Sequence, residues 1–225
     1  MTAEACLLST TYFGPIQWYQ KLNRYGRVLI EQHESWQKQT YRNRCLIATT
    51  QGVQALTVPV AKDEAGDSHH ISHLSSLTAH FRISDHGNWR HLHWQALQSA
   101  YGDSPFFEYY EDDLRPFFVD RRWEWLADFN ADTMHTMCRL LDICPRVEPT
   151  THYVKPTGDL VLTDPADGLT YADFRYAINP KHPLPDADFA PRRYWQVFEQ
   201  KHGFLPNLSI LDLLFNVGPE AIFYL

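Results

Sequence analysis

The sequence has no apolar run that approaches the ~18–20 residues needed to cross a bilayer. Residues 1–11 contain neither the basic start nor the long apolar stretch of a secretory signal. The four cysteines form no CxxC pair, and a chain of 225 residues can bury a core without disulfide bonds. These absences predict a cytoplasmic protein that does not span a membrane and keeps its thiols reduced.

A surplus of positive charge is also missing. Lysine and arginine together number 20 against 27 aspartates and glutamates, which gives a formal net charge of -7. No global positive field is therefore available to attract a nucleic-acid backbone, and we expect no nucleic-acid partner. The hydrophobic fraction of 44% is typical of a globular protein with a substantial core.

The short motifs of common enzyme classes are absent as well. The sequence has no dinucleotide-binding GxGxxG, no P-loop and no GxSxG nucleophile elbow, so it identifies no cofactor. Twelve histidines are present, most densely from His69 to His93, but they show neither HExxH nor another fixed ligand spacing. A metal-dependent hydrolase built on this stretch is the least favoured hypothesis, and no residue is assigned as a metal ligand.

The hydrophobic pattern predicts an α/β fold with a mixed β-sheet and covering helices. Residues 5–10 and 27–30 have the pattern of strands, and a helix that begins at Ile16 joins them into a βαβ unit. Segments 45–48 and 55–60 are rich in strand-forming residues and flank Gln51-Gly52, which predicts an antiparallel hairpin. We predict a single domain over residues 1–225, in which the proline-rich segment from about 145 to 191 is the least regular part.

Four helices follow from apolar periodicity in the rest of the chain. One begins near Asp85 or Asn88 and ends at Gly102, a long amphipathic one covers residues 121–141, and a third covers residues 192–202. The last helix is apolar nearly all round, which predicts burial. It follows Ser209, and the S-x-x-D spacing to Asp212 predicts a capping box.

The polar block from residue 31 to residue 44 is the strongest candidate for chemistry, because it connects apparent strands and such loops often carry sites. In the enzyme interpretation His33 is a general base, and Glu31 or Glu34 orients it. The block also supplies the basic residues Lys38, Arg42 and Arg44, which can clamp a phosphate. The alternative interpretation is a solvated loop with surface ion pairs.

Several ordered blocks of the sequence resemble the WbqC-like protein family. The blocks are Thr11-Tyr12-Phe13-Gly14-Pro15, Glu31-Gln32-His33, Lys38 to Arg44, Leu56 to Val60, Ala100-Tyr101 with Ser104 to Phe107, and Leu205 to Asn216 with Gly218-Pro219. The resemblance runs nearly from end to end and fades in the proline-rich segment. Family members commonly carry a His and a Gln-Pro where this chain has Ser9-Thr10-Thr11, and larger members have a Ser-Gly block that is not found here. The chain therefore resembles a short form of the family.

The resemblance implies a role in surface-polysaccharide biosynthesis, because the family is named from genes at O-antigen loci. A protein that works beside nucleotide-sugar enzymes needs to hold a diphosphate, and the basic block suits that task. We interpret the chain as a transferase acting on a nucleotide-activated or amino sugar, with a small-molecule substrate. The alternative is a non-catalytic binding or assembly protein of the same pathway.

Four more residues complete the predicted ligand-binding set: Tyr12, Asn43, Asn207 and Asn216. Tyr12 lies in the first family-like block, and Asn43 offers a donor and an acceptor to a sugar hydroxyl. The other two lie beside or within the apolar terminal helix, where buried polar groups need partners. A helix C-cap explains Asn216 equally well.

The two functional hypotheses differ in what they predict for the structure. A transferase requires these side chains to converge in one concave pocket, whereas a binding protein is expected to have a filled site and an exposed apolar patch. If Arg42 and Arg44 hold a ligand, alanine at either position abolishes binding and leaves the thermal midpoint nearly unchanged. A stability loss of ~3–5 kcal/mol would identify them as structural charges instead.

Overall fold

A parallel βαβ unit opens the computed structural model, which describes residues 3–62 and 77–225. Strand β1 (Ala5–Ser9) leads through helix α1 (Ile16–Arg24) to strand β2 (Arg27–Glu31). The two strands are parallel, with Cys6 opposite Val28 and Ser9 opposite Glu31. The predicted βαβ unit is confirmed.

Five strands form the main sheet, in the order β7-β2-β1-β9-β8. Strands β7 (Arg146–Pro149), β8 (Val161–Thr163) and β9 (Thr170–Asp173) all come from the proline-rich segment, where the chain between them is irregular. The pairs β7-β2, β2-β1 and β1-β9 are parallel, and β8 is antiparallel to β9. The predicted mixed sheet of an α/β fold is confirmed.

Two antiparallel pairs lie outside this sheet. Strands β3 (Arg44–Thr49) and β4 (Gly52–Thr57) form the predicted hairpin, and Gly52 has the positive φ of 101° that the turn requires. Strand β5 (Val60–Lys62) pairs with β6 (Phe81–Ile83). His69, His70 and His73 of the histidine-rich stretch lie outside the described residues.

The remaining helices pack mainly on one face of the sheet. They are α2 (Trp89–Tyr101), α3 (Phe107–Leu114), α4 (Leu126–Leu140), α5 (Glu199–His202) and α6 (Ile210–Val217). The larger apolar core joins α1, α2, α4 and α6 to Leu8 and Ile30 of the sheet. A smaller cluster on the opposite face contains Leu7 and Leu29 with Val154. Within the part of the chain that the structure describes, no helix has both the length and the apolar character needed to cross a membrane.

Two predicted helices are shorter than expected. The helix predicted over residues 121–141 begins only at Leu126, because Trp125 is extended and bridges Arg82, and Glu124 accepts a hydrogen bond from the Ile83 amide. The helix predicted over residues 192–202 is limited to Glu199–His202. The side chain of Gln196 there holds both polar backbone groups of Leu205, which fixes an irregular chain.

The predicted capping box is wrong for Asp212. Ser209 does cap α6, since its hydroxyl accepts from the Leu211 amide at 3.3 Å. The Asp212 carboxylate is instead fully buried and accepts from the hydroxyls of Tyr101 at 2.7 Å and Tyr194 at 2.6 Å. Burial raises the pKa of Asp212 although these hydrogen bonds oppose the rise. A helix that is buried all round leaves its carboxylate no route to solvent, so the carboxylate bonds to tyrosines of neighbouring segments.

The buried imidazole of His93 gives the fold an expected pH dependence. The Tyr12 hydroxyl lies 2.9 Å from Nδ1 of His93, and burial lowers the pKa of His93 to about 4. The unfolded chain takes up this proton near pH ~6.5, so the free energy of unfolding should fall by about 3 kcal/mol as the pH drops from about 6.5 to 4. Urea denaturation at a series of pH values measures this loss.

His93→Gln is the matched variant for that experiment. Burial raises the pKa of Glu34 and of Asp212, so these groups act in the opposite sense as the pH falls. The difference between the wild type and His93→Gln therefore isolates the histidine. Equal pH slopes for the two proteins would contradict the prediction.

Candidate functional site

Four parallel strands end at one edge of the main sheet, which we call the carboxyl edge. Their last residues there are Ser9 of β1, Glu31 of β2, Pro149 of β7 and Asp173 of β9. Strand β1 lies between β2, which follows it in the chain, and β9, which pairs with its other side. Open α/β sheets bind ligands beyond the carboxyl ends of strands where the strand order diverges in this way.

Glu31 joins three segments at this edge. Its carboxylate accepts from the His33 amide at 2.8 Å, the Thr150 hydroxyl at 2.9 Å and the Val154 amide at 3.1 Å. Arg175 lies 3.2 Å from the same carboxylate. The side chain of Glu31 has no exposed surface. Through these hydrogen bonds, Glu31 holds the segments that follow β7 and β9 against the end of β2.

Two arginines neutralise the carboxylates of the carboxyl edge. Arg175 makes a two-pronged contact with Asp173, at 2.9 Å from Nε and 2.7 Å from Nη2. Nε of Arg42 donates to Glu34 at 3.0 Å, and Ser9 donates to the same carboxylate at 3.0 Å. We call Glu31, Glu34, Arg42, Asp173 and Arg175 the charged cluster. Burial raises the pKa of Glu34, and Arg42 opposes that rise.

The charged cluster is densely packed. A crevice of about 10 Å³ lies beside Ser9, Arg42 and Arg175, which is room for about one water molecule. Glu31 and Glu34, two of the three predicted catalytic residues, lie in this cluster, and their charges and that of Arg42 are balanced within the protein.

His33 is half-buried at the rim of the cluster. Its Nε2 lies 3.2 Å from the carbonyl oxygen of Thr150. A carbonyl only accepts hydrogen bonds, so Nε2 carries a proton, and in the neutral form of the ring Nδ1 holds the lone pair. The two carboxylates predicted to orient His33 bond elsewhere: Glu31 holds its backbone amide, and Glu34 holds Arg42 and Ser9.

The other basic residues of the block lie nearer the surface. Lys38 is exposed, and Arg44 is partly exposed with Nε 3.3 Å from the Thr57 hydroxyl. Neither forms an ion pair with the residues that the structure describes.

The four remaining predicted ligand-binding residues make hydrogen bonds within the fold. Tyr12 is fully buried against His93, and Asn43 donates to the Val58 carbonyl at 2.8 Å. Asn207 bonds to the backbone and side chain of Gln17 at 3.0 Å each. Asn216 donates to the Asp212 carbonyl at 2.7 Å and accepts from the Val197 amide at 3.3 Å. The structure does not bring these four side chains to the charged cluster.

A cleft of about 220 Å³ opens between α4 and the carboxyl edge, and we call it the α4 cleft. Its apolar lining includes Trp18, Ile30 and Met134. Thr11 and Asn130 line it as well, and each is at least nine-tenths buried. Within residues 3–62 and 77–225, the Thr11 hydroxyl oxygen and the Asn130 amide oxygen have no hydrogen-bond partner. Buried polar atoms without partners are rare in folded proteins and call for an explanation, such as a ligand or a water.

One feature of the sequence marks this cleft, although it is not among the predicted site residues. Asn130 shares a helical face with Met134 and Met137, four and seven residues further on, and a polar residue on an apolar stripe is unusual. Its amide nitrogen donates to the Thr10 hydroxyl at 3.1 Å and to the Arg42 carbonyl at 2.8 Å. The amide oxygen has no partner in the described chain.

One group of described residues has the donor types of a metal site. Ligand atoms of His152, Asp164 and Asp167 lie within 4.8 Å of one another, on loops that follow β7 and β8. His152 and Asp164 already contact each other at 2.7 Å. The described histidines of the 69–93 stretch are not members of this group.

Comparison with known proteins connects most of the chain to one family. The sequence profile of the WbqC-like protein family matches residues 10–224. The uncharacterized protein Rv1507c of Mycobacterium tuberculosis is 29% identical over 211 residues, which cover 88% of this chain and 86% of that protein. No solved structure matches.

Proposed function

The chain belongs to the WbqC-like protein family, and we propose that it is a transferase acting on a nucleotide-activated or amino sugar. The observation that carries the proposal is the α4 cleft at the carboxyl edge of the sheet, whose lining residues Thr11 and Asn130 each hold a buried oxygen with no partner in the described chain. Small-molecule sites combine apolar walls with a few polar groups that fix the orientation of the ligand. A volume of about 220 Å³ suits a ring-sized group, and the hydroxyl or amino hydrogens of a sugar can donate to Asn130.

The proposed chemistry places His33 as the general base. Nδ1 accepts the proton of the attacking hydroxyl or amino group while that oxygen or nitrogen bonds to the transferred group. The leaving group departs with the electron pair of the bond that breaks. Glu31 positions His33 through its backbone amide, and the neighbouring Gln32 lines the α4 cleft.

A nucleotide-activated donor brings phosphate charge that needs cationic partners. Arg42 is neutralised by Glu34, so we assign phosphate binding in this block to Lys38 and Arg44. An amino sugar without a nucleotide needs no such clamp.

A non-catalytic binding or assembly protein is the second candidate. Mutual neutralisation within the charged cluster favours it, because the arginines and carboxylates at the edge already have partners. The variant His33→Gln distinguishes the two candidate functions. A transferase loses turnover and keeps ligand affinity, whereas a binding protein shows no turnover even in the wild type.

Thr11→Val tests the role of the α4 cleft. The change removes a buried hydroxyl without a partner, so the unliganded protein should gain about 1 kcal/mol of stability, or ~2–4 °C in thermal midpoint. The same variant should bind a sugar ligand about tenfold more weakly, because one hydrogen bond to the ligand is lost. Thermal unfolding and calorimetric titration with UDP-N-acetylglucosamine and with glucosamine measure both effects.

Thr163→Val is the control for ligand affinity, because it makes the same chemical change on β8 at a residue that does not line the cleft. It should leave ligand affinity unchanged. Wild-type affinity in Thr11→Val, or no binding of either probe to the wild type, would count against the proposal.

A further inference from the structure

The N-terminus of α2 opens onto a second pocket, of about 360 Å³, which we call the α2 pocket. Its walls are the first turns of α2 and the segment from residue 118 to residue 122. None of its lining residues also lines the α4 cleft. Any ligand of this pocket is therefore a separate question from the proposed function.

The helix end at this pocket is electrostatically suited to an anion. Helix α2 has 13 residues, and Asn88 before it has a φ of 48° and makes no side-chain capping bond. The first turn of α2 contains no acidic residue. The first amides of a helix lack intrahelical partners and carry the positive end of the helix dipole, so they favour negative charge.

Arg90 provides an independent observation. Its side chain is only 9% exposed, and its guanidinium lies 4.5 Å from the centre of the Trp89 ring. One terminal nitrogen contacts the carboxylate of Asp85, but the buried Nε has no hydrogen-bond partner in the described chain. An arginine with a spare buried donor suits an oxyanion that accepts two hydrogen bonds side by side.

Beside Arg90, the charged side chains at the pocket are Arg122 and Asp85. Arg122 and His91 line it and are exposed, and Arg122 donates to the carbonyls of Val119 and Arg121. Asp85 is the acidic lining residue, and its side chain is 78% exposed. A carboxylate this exposed can turn into solvent when a stronger anion approaches Arg90.

We propose that the α2 pocket binds the phosphate group of a phosphorylated small molecule. Two arginines and a helix N-terminus match an anion with several acceptor oxygens. The pocket is larger than a phosphate ion, and Val119 and Phe118 add apolar wall beside the charges. The ligand is therefore a phosphate ester, whose organic part contacts that wall.

Calorimetric titration at low salt with inorganic phosphate, UDP and glucose 1-phosphate tests the proposal. The wild type should bind at least one ester more tightly than inorganic phosphate, and the preferred ester separates a nucleotide from a sugar phosphate. Arg90→Gln should weaken binding at least tenfold, and Arg122→Gln should weaken it severalfold. Asp85→Asn should tighten binding severalfold, because it removes the competing carboxylate.

Arg139→Gln is the matched control, since Arg139 is an exposed arginine that pairs with Asp113 and does not line the α2 pocket. It should bind like the wild type. If Arg90→Gln does not fold, the opposite shifts in Arg122→Gln and Asp85→Asn still decide the question. Unchanged affinity in those two variants, or no binding of any of the three probes, overturns the proposal.

Discussion

Arg42→Ala should lower the free energy of unfolding by about 3–5 kcal/mol, because it leaves the Glu34 carboxylate buried without its cation. The side chains of Arg42 and Glu34 are 5% and 7% exposed, so solvent cannot replace the lost partner. The Ser9 hydroxyl also loses a hydrogen bond, since Arg42 donates to it at 3.1 Å. Urea denaturation measures the loss. The slope of the free energy of unfolding against urea concentration should be the same in the variant and the wild type.

Arg44→Ala is the natural comparison, two residues further along the same block. Arg44 is partly exposed and forms no ion pair with the described residues, so we expect a change of less than about 0.5 kcal/mol. The structure thus predicts different roles for Arg42 and Arg44, although the sequence analysis assigned both to phosphate binding. If Arg42→Ala kept full stability and lost only ligand binding, the arginine would hold a ligand, as the sequence-based hypothesis stated.

A double replacement tests the cause of the loss. Glu34→Leu combined with Arg42→Met removes both charges and keeps apolar volume, and such exchanges of buried pairs are often neutral or stabilising. The double variant should therefore be more stable than Arg42→Ala alone. A double variant that is as unstable as the single one would point to packing rather than to an uncompensated charge.

Arg175→Met should be at least as damaging, with an expected loss of about 3–5 kcal/mol. One guanidinium contacts both Asp173 and Glu31, and the side chains of all three residues are at most 4% exposed. Methionine fills the space but leaves two buried carboxylates without a cation. The same denaturation measurement applies.

Arg146→Met is the control for Arg175→Met. Arg146 pairs with Glu148 at the sheet surface and is 70% exposed, so its loss should cost less than about 1 kcal/mol. A cost for Arg175→Met no greater than that of this control would show that the charged cluster contributes little to stability.

Local patterns were sufficient for much of the fold. The helix at 16–24 and the strands beside it have clear apolar periodicity, and Gln51-Gly52 marks a turn that only a few residue types tolerate. The extended start of the 121–141 segment was not predictable in this way, because it depends on pairing between Trp125 and Arg82. Propensity cannot report a partner that lies more than 40 residues away in sequence.

The site was predictable in position but not in its interactions. The polar block follows β2, so its place at the end of a strand could be read from the sequence. Its partners Thr150, Val154 and Arg175 come from the proline-rich segment, where no periodic pattern marks short strands. Asp212 shows the same limit, because its tyrosine partners are 18 and 111 residues away.

The central position of β1 has a consequence for biosynthesis. β1 pairs on one side with β2, only about 20 residues later, but its other neighbour β9 ends at Asp173. Ile16 at the start of α1 also donates its amide to the Leu208 carbonyl, so an early segment of the chain needs one that is synthesised much later. Such distant pairings close slowly, and a partly made chain exposes apolar strand surface meanwhile. We therefore expect ribosome-bound intermediates of this protein to depend on chaperones until β9 has left the exit tunnel.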